Sequence, residues 1–244
     1  VVKNFDRSSV SLYDDIYSTP GQKKYYVVNN VLEVFTSKVG QFVEIMNLEE
    51  FGNALFIDNE IQVAVKDEKI YSSTFFKSSY DLSKKNNNVA IIGGGDGGVA
   101  RECLDNNTNY IDWYELDPEI VESCYRHLPS VCSKVKKSNT VNTFWGDAFE
   151  SIKSVEDSKY DKIFVDLNDD QYCIDLARKN MKGLRRILKP GGVITAQVGS
   201  KDKKPKQVEN WCKVLEKSFG NVNISGVYVP SFDCNWNFAS SIMK

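Results

Sequence analysis

The sequence predicts an α/β fold in two parts, because its hydrophobic pattern changes once along the 244 residues. Up to about residue 70, short strand-like runs are separated by turn residues, which indicates a small antiparallel β-sheet. From residue 88 onwards, apolar strand-like runs alternate with helical segments, which is typical of a parallel sheet with helices on both faces. We therefore expect a small β domain at residues 1–70 and a larger, Rossmann-like domain at residues 71–244.

The first part contains five short runs with high β-propensity. They read KKYYVVNN, VLEVFTS, QFVEIMN, NALFID and EIQVAV, and the pairs Asn29-Asn30 and Asp58-Asn59 predict turns between them. A helix is predicted to follow at residues 68–83, where large apolar side chains recur partly on one side.

The second part contains the runs expected for a parallel sheet. Five strands are predicted at NVAIIGG, YIDWYELD, VNTFWGD, YDKIFVDL and GVITAQV. Helices are predicted at GVARECLDN, PEIVESCYRHL, CIDLARKNMKGLRRIL and KQVENWCKVLEKSF. The runs VNISGVYVP and WNFASSIMK are expected to close the sheet as a final strand pair.

The composition argues against several classes of protein. A net charge of −2 gives no basic surplus for nucleic acid, and no apolar run approaches the roughly 20 residues of a membrane span. No signal peptide is visible, and six scattered cysteines without a C-x-x-C pair indicate a reduced, cytoplasmic protein. The first residue is Val1 rather than Met, so whether an N-terminal part is missing stays open at this stage.

A single histidine limits the chemistry available to the chain. His127 stands in SCYRHLPSVC, a pattern that predicts a helix end before Pro129. We therefore predict a structural role for His127 rather than a place in a Ser-His-Asp or Cys-His mechanism. No metal site is expected, because zinc ligands at the usual spacings are lacking.

A glycine-rich loop, GGGDGG, follows the first strand of the larger part. Gly93, Gly95 and Gly98 fit G-x-G-x-x-G, and Glu115 ends the next strand, as in dinucleotide-binding proteins. Asp96 argues against a pyrophosphate, because a carboxylate in this tight loop repels an anion and attracts a cation.

The ligand inferred instead is an adenosyl sulfonium with a positively charged tail. Glu115 and Asp147 end the second and third strands, where their carboxylates suit a ribose diol and an adenine amino group. Asp96 suits decarboxylated S-adenosylmethionine, whose tail carries only an ammonium, better than the parent compound, whose tail adds a carboxylate. The alternative is that Asp96 only caps the following helix.

More acids follow the fourth strand, in VDLNDD. Asp166, Asp169 and Asp170 lie where the strand ends of such sheets face the ligand crevice. Together with the acids of the preceding strands, they predict a negative cleft that suits a polycation.

These motifs resemble the aminopropyltransferases, the family of spermidine and spermine synthases. IIGGGDGG, YELD, WGDAFE, VDLNDD, LKPGG and TAQVG occur in the family's order, and the similarity covers nearly the whole chain. The resemblance implies a parallel sheet of the kind found in S-adenosylmethionine-dependent methyltransferases. It also implies transfer of an aminopropyl group from decarboxylated S-adenosylmethionine to a polyamine, with release of 5′-methylthioadenosine and no permanently bound cofactor.

Within the family, the details are more similar to spermine synthases, which favours spermidine as the acceptor. VDL stands where spermidine synthases usually have DSSD, and Ser72 stands where they tend to have histidine. FDRSSVSLYDDIY and VPSFDCNW resemble segments of spermine synthases, but the family's acid in the second falls on Cys234, with Asp233 one position earlier. The resemblance implies a homo-oligomer, a dimer, and we expect the extra N-terminal domain of spermine synthases to be absent.

The resemblance also implies roles for individual residues. Asp166 orients the attacking amine and takes its proton, with Tyr71 as its hydrogen-bonding partner. Asp96 holds the aminopropyl ammonium, while Glu115 binds the ribose and Asp147 the adenine amino group. The remaining predicted contacts are Gln41 at the nucleoside, Gln197 at a polar edge of the substrates, and Asp169 and Asp233 at distal ammonium groups of the acceptor.

Several alternatives stay open at this stage. A spermidine or thermospermine synthase has the same motifs, and an S-adenosylmethionine-dependent polyamine N-methyltransferase is similar in fold and loop. A catalytically silent homologue that regulates a partner, and an NAD enzyme with the same glycine loop, are the remaining possibilities.

Overall fold

A computed structural model describes residues 11–14 and 23–244, which form two sheets. Most of the segment FDRSSVSLYDDIY lies outside the described residues. The first sheet has five antiparallel strands in the order β1-β2-β3-β4-β5. Its strands are β1 (Ser11–Asp14), β2 (Tyr25–Thr36), β3 (Phe42–Leu48), β4 (Gly52–Ile57) and β5 (Glu60–Ala64).

Strand β2 differs from the prediction, because it joins two runs that the sequence divides at Asn29-Asn30. The pair does not turn; the strand runs through it, with irregular pairing to β3 between Val28 and Asn30 and again between Val31 and Glu33. The side chain of Asn29 donates to Asn47 Oδ1 of β3 at 3.1 Å. At the β4–β5 hairpin, the predicted turn at Asp58-Asn59 is present, with both residues at positive φ.

Helix α1 (Glu68–Tyr80) connects the two sheets and lies within the predicted helix 68–83. The predicted domain boundary between residues 70 and 71 therefore falls inside a continuous helix. Phe75 and Phe76 of α1 are buried against the second sheet. Just before α1, Asp67 accepts a hydrogen bond from the backbone N–H of Ser231 at 2.6 Å, which ties this helix start to the C-terminal region.

The second sheet has seven strands in the order β11-β12-β10-β9-β6-β7-β8. Strands β10, β9, β6, β7 and β8 run parallel, and β12 and β11 extend the sheet antiparallel to β10. In chain order its elements are β6 (Asn88–Gly93), α2 (Gly98–Asp105), β7 (Tyr110–Glu115), α3 (Pro118–His127), α4 (Pro129–Lys136), β8 (Val141–Trp145), α5 (Ala148–Ser151), β9 (Tyr160–Asp166), α6 (Gln171–Ile187), β10 (Leu188–Gly199), α7 (Pro205–Phe219), β11 (Asn223–Val229) and β12 (Cys234–Ile242).

Helices cover both faces of this sheet, as the alternating pattern predicts. One face packs on α6 and α7, whose buried residues include Leu184 and Trp211. The other face packs on α1 and α2, and Phe164 of β9 lies in that cluster. The first sheet does not join the second edge to edge; it packs on α3 and α4, with Ile45 of β3 among the buried residues.

The strand order creates a crevice at one point of the second sheet. The chain runs from β6 outwards to β7 and β8, and then returns to the other side of β6 to form β9. Ligands of open α/β sheets bind at such a reversal, at the carboxyl ends of the strands. Here Gly93, which ends β6, pairs with Asp166, which ends β9. Within the part of the chain that the structure describes, no helix is long and apolar enough to cross a membrane.

Candidate active site

The glycine loop after β6 lies directly against Asp166. The N–H of Gly94 donates to the carbonyl of Asp166 at 3.1 Å, and a Cβ at Gly93 would overlap the same carbonyl. Gly93 also has a φ of +80°, which residues with a side chain rarely adopt. Glycine is therefore required here for the loop to approach the neighbouring strand as well as for any ligand contact.

Asp96 stands at the tip of this loop, before α2. Its Oδ1 accepts a hydrogen bond from the N–H of Gly98 at 2.6 Å, so the capping alternative is present in the structure. That contact uses one carboxylate oxygen, and among the described residues no donor bonds the other. Burial, and secondly the charge of Asp166, raise the pKa of Asp96 to about 7.

Glu115 ends β7 beside the loop and is buried. Its Oε1 accepts a hydrogen bond from the N–H of Asp117 at 3.0 Å, and a Cβ at Gly95 would lie 3.4 Å from its Oε2. Burial raises the pKa of Glu115 to about 7, against the opposing effect of backbone hydrogen bonds.

Tyr71 brings α1 into the site. Its hydroxyl donates to Asp166 Oδ1 at 2.6 Å, across the junction between the two parts of the chain. Burial raises the pKa of Asp166 to about 6 although this hydrogen bond lowers it, and burial together with Asp166 raises the pKa of Tyr71 well above its usual value. Tyr71 is therefore the donor, and Asp166 is the group that gains or loses a proton near neutral pH.

Asp96, Glu115 and Asp166 form no ion pair with any Lys, Arg or His among the described residues. Arg101, a buried cation on α2, bonds Glu68 Oε1 at 2.6 Å and Glu102 Oε1 at 2.7 Å instead. Three carboxyl groups with raised pKa values therefore lie close enough to act on one another, in a region that we call the recess, and none of them is in an ion pair, although the charge of Arg101 has a minor lowering effect on the pKa of Asp96. Such a recess favours a ligand that brings positive charge, because this charge lowers the cost of ionising all three.

Aromatic side chains form the wall of the recess next to Tyr71. The ring of Tyr71 lies 6.2 Å from Phe232 and 6.4 Å from Trp236, centroid to centroid. The sequence reasoning did not assign a role to Phe232 or Trp236, although both stand in VPSFDCNW. It also missed Gln62 of β5, which lines a small cavity together with Tyr71 and Asp96.

Asp169 is buried three residues beyond Asp166 and, unlike it, is paired with a cation. The ammonium of Lys204 lies 3.3 Å from both oxygens of the Asp169 carboxylate. The two residues line a second cavity, which borders on Phe232 and Trp236.

A family comparison matches the two parts of this architecture. The profile of the "Spermine/spermidine synthase domain" matches residues 68–244, and that of the "Spermidine synthase tetramerisation domain" matches residues 13–64. The chain belongs to the spermine/spermidine synthase family. The resemblance stated from the sequence motifs is thereby confirmed, including its assignment of the chain to a family of aminopropyltransferase enzymes.

Curated relatives of this spermine/spermidine synthase family member carry the name polyamine aminopropyltransferase. The protein from Korarchaeum cryptofilum (strain OPF8) is 29% identical over 91% of this chain and 70% of its own length. That from Thermoplasma acidophilum is 28% identical over 93% and 83%, and that from Prochlorococcus marinus (strain NATL1A) is 31% identical over 82% and 72%.

Solved structures of the family have the same fold. A spermidine synthase in complex with the transition state analogue AdoDATO superposes with a TM-score of 0.89 at 18% identity, over 96% of this chain and 80% of that one. Spermidine synthase from Thermotoga maritima gives a TM-score of 0.84 at 18% identity, over 96% and 79%. The predicted fold class is confirmed: a Rossmann-like sheet with a small antiparallel sheet before it.

Gln197, predicted to contact substrate, lies beneath the site of this synthase-family protein. It is buried, its amide nitrogen donates to the carbonyl of Leu167, and its Oε1 accepts from the indole N–H of Trp236 at 3.1 Å. These bonds fix the loop after β9 relative to the aromatic wall. Direct contact of Gln197 with substrate stays a prediction.

Asp233 and Cys234 face different ways. Asp233 is exposed, has a φ of +52°, and accepts a hydrogen bond from the hydroxyl of Tyr228 at 2.7 Å. Cys234 is buried and lines the cavity beside Asp169. The structure therefore does not bring Asp233 to the other predicted acids, because its left-handed backbone before β12 turns its side chain to the surface while that of Cys234 faces the cavity.

Two further predicted contacts lie at the edges of the site. Asp147 is exposed after β8, and its Oδ1 caps α5 by accepting from the N–H of Phe149 at 2.8 Å. Gln41 ends the turn between β2 and β3, and in that turn the N–H of Lys38 donates to Glu119 of α3 at 2.8 Å. The turn is thus held close to the helix that follows Glu115, while ligand contacts by Asp147 and Gln41 stay predictions.

His127 has a structural environment. It ends α3, and its Nε2 lies 3.1 Å from Glu33 Oε2 of the first sheet. Within residues 11–14 and 23–244, no three His, Cys, Asp or Glu side chains are grouped so as to hold a metal ion. The six cysteines are free.

Proposed function

We propose that the protein transfers the aminopropyl group of decarboxylated S-adenosylmethionine to a polyamine, with spermidine as the acceptor and spermine as the product. One observation carries the proposal: Tyr71 and Asp166 meet at 2.6 Å in a recess with Asp96 and Glu115, and none of these acids is paired with a cation of the protein. A sulfonium with an ammonium tail supplies the missing positive charge.

The donor is expected to lie along the carboxyl ends of β6 and β7. We expect Glu115 to bind the ribose hydroxyls, and the oxygen of Asp96 that does not bond Gly98 to bind the aminopropyl ammonium. A tail that also carries a carboxylate brings a negative charge close to Asp96, so the same loop disfavours ordinary S-adenosylmethionine.

The reaction is a displacement at the carbon next to sulfur. The acceptor nitrogen forms a bond to this carbon, the carbon–sulfur bond breaks, and its electron pair stays on sulfur to give neutral 5′-methylthioadenosine. The nitrogen loses one proton, which Asp166 takes. Because alkylammonium groups have pKa values near 10.4, a carboxylate whose pKa is about 6 rather than 3.8 is a better base for this step.

Tyr71 supports Asp166 by fixing one carboxylate oxygen, which leaves the other for the amine. Alignment of the amine nitrogen with the reacting carbon contributes the larger part of the rate enhancement, because the sulfonium is already an activated leaving group.

The choice of spermidine rests on the family resemblance of VDL and Ser72, with putrescine as the competing acceptor. The name of the profile matched by residues 13–64 supports a homo-oligomer, and a dimer stays a prediction, as does a cytoplasmic location.

Mass spectrometry of reaction products tests the proposal. Decarboxylated and ordinary S-adenosylmethionine are each offered with putrescine and with spermidine, to the wild type and to Asp166→Asn. We expect spermine from the decarboxylated donor and spermidine, and about a thousandfold less of it per unit time from Asp166→Asn. The matched control is Asp170→Asn, whose side chain caps α6 at the N–H of Cys173 and should retain turnover. Methylated amine without aminopropyl product would refute the proposal.

A further inference from the structure

The cavity beside Asp169 contains positive charge that belongs to the protein itself. Both lysines of the pair Lys203-Lys204 line it, together with Glu60, Phe232 and Trp236. The Nζ of Lys203 donates to the carbonyl of Phe232 at 3.0 Å, so this ammonium is held at the cavity wall.

Lys204 is the lysine that reaches the buried carboxylate. Its Nζ is 3.3 Å from Oδ1 and from Oδ2 of Asp169, whose side chain is only 4% exposed, against 24% for the lysine. A buried carboxylate paired in this way is satisfied without any ligand.

The backbone around the pair holds it in place. The N–H of Lys204 donates to the carbonyl of Ser200 at 2.7 Å, and Pro205 then begins α7, so the lysine stands at a fixed turn. On the other side, a Cβ at Gly199 would lie 2.5 Å from Asp169 Oδ2, which shows how closely this carboxylate packs on the backbone.

The cavity adjoins the reacting centre. Its wall residues Phe232 and Trp236 are also the aromatic neighbours of Tyr71, whose hydroxyl bonds Asp166. An acceptor amine placed at Asp166 therefore extends its carbon chain along these rings towards Asp169. There its distal ammonium meets a carboxylate that already carries a lysine.

We propose that Lys204 competes with the distal ammonium of the acceptor for Asp169, and so sets the affinity and the charge selectivity of the acceptor cavity. This inference rests on the proposed aminopropyl transfer. Two ammonium groups on one buried carboxylate repel each other, so an acceptor must displace Lys204 to use Asp169. The binding energy of a polyamine is reduced by that displacement, while a monoamine that ends before Asp169 is unaffected.

Steady-state kinetics of Lys204→Met tests the competition, because methionine keeps the length and removes the charge. We expect the KM for putrescine and for spermidine to fall about tenfold, and the change to fall on KM rather than on kcat. Lys204→Arg should keep the wild-type KM. Lys206→Met, at an exposed position of α7, is the matched control and should not change the KM.

Calorimetric binding to the methylthioadenosine complex tests the same lysine without turnover. Putrescine and n-butylamine have the same carbon number and differ in the distal ammonium. Lys204→Met should tighten putrescine about tenfold and leave n-butylamine unchanged. In an Asp169→Asn background, Lys204→Met should have no effect on either amine, because the contested carboxylate is gone.

Three results would overturn the inference: unchanged or weaker putrescine binding in Lys204→Met, equal tightening of n-butylamine, or an undiminished effect in Asp169→Asn. Should Lys204→Met not fold, Lys204→Gln provides the same removal of charge and the same readouts. Failure of the proposed function has a different signature, namely no aminopropylated product from the wild type with any amine, while the calorimetric comparison still decides the role of the lysine.

Discussion

The two ends of the site differ in whether their carboxylates are paired with a cation of the protein. At the donor end, Asp96 and Glu115 have pKa values of about 7 and form no ion pair with the described residues. At the acceptor end, Asp169 is more deeply buried than Asp96 and is paired with Lys204 at 3.3 Å. Asp166, with a pKa of about 6, lies between the two.

This difference shows how one sheet edge can treat two cationic ligands differently. A carboxylate that is not paired with a cation of the protein binds a cationic ligand once it has lost its proton, and the bound cation then stabilises the ionised form. When a carboxylate is already paired with lysine, a cationic ligand must replace that lysine. The net binding free energy is then only the difference between the contact with the ligand's ammonium and the contact with the lysine. We expect the donor to be selected by affinity and the acceptor by competition.

The largest effect is expected from a substitution at the centre of the site, at Asp166. Asp166→Asn removes the base, and kcat should fall by about a thousandfold, within the usual range for loss of general-base catalysis. Binding of methylthioadenosine, measured by calorimetry, should remain almost intact because the donor acids are unchanged. Near-normal turnover would show that the base lies elsewhere.

A smaller effect is expected at the donor end. Asp96→Asn should weaken decarboxylated S-adenosylmethionine about 100-fold, since a charged hydrogen-bond partner of its ammonium is lost. Methylthioadenosine, which has no ammonium, should lose much less affinity in the same titration. Equal weakening of both ligands would mean that Asp96 only shapes the loop through its bond to Gly98.

The pH dependence should separate the centre from the donor end. Because burial raises the pKa of Asp166 to about 6, its reactive carboxylate form is lost as the pH falls, and turnover at saturating donor should drop about tenfold between pH 7 and pH 5. The kcat/KM for the donor should also fall as the pH drops below about 7, because Asp96 and Glu115 become protonated there. These acids interact, so the profile reports them as a group and not one by one. A flat profile from pH 5 to pH 7 would contradict this assignment.

The smallest effect concerns the stability of the unliganded protein. The folded-state pKa of Asp96 lies above the unfolded value of about 3.8, so this group favours folding at low pH and loses that contribution as the pH rises from about 4 to about 7. Asp96→Asn should therefore raise the free energy of unfolding at pH 8 by about 1–2 kcal/mol and have less effect at pH 4. Urea denaturation of the wild type and the variant at pH 8 and at pH 4 measures this change. A lower free energy of unfolding for Asp96→Asn at pH 8 would contradict the prediction.

The proximity of Asp96, Glu115 and Asp166 could be predicted from the sequence, because each residue stands at a fixed distance from a strand end, whereas their roles with the donor stay predictions. Once GGGDGG and YELD are placed after two adjacent parallel strands, Asp96 and Glu115 must lie at one edge. Asp166 follows for the same reason, since its strand returns to the other side of β6.

The acceptor end could not be predicted in the same way. The pairing of Lys204 with Asp169 joins a helix start to a loop 35 positions away, and no local spacing encodes it. Asp233 and Cys234 are adjacent, and only the left-handed backbone at Asp233 decides which of them faces the cavity. Strand β2 likewise runs on through Asn29, with irregular pairing to β3 that propensities do not contain.

The hydrogen bond between Tyr71 and Asp166 makes catalysis depend on correct packing of α1 against the second sheet. Tyr71 belongs to the helix that leaves the first sheet, and Asp166 ends the central strand of the second. We expect a chain in which only the second sheet has folded to possess the glycine loop with Asp96 and Glu115, and to bind a nucleoside. It gains an oriented base only when α1 docks, so incompletely folded molecules would bind donor without consuming it.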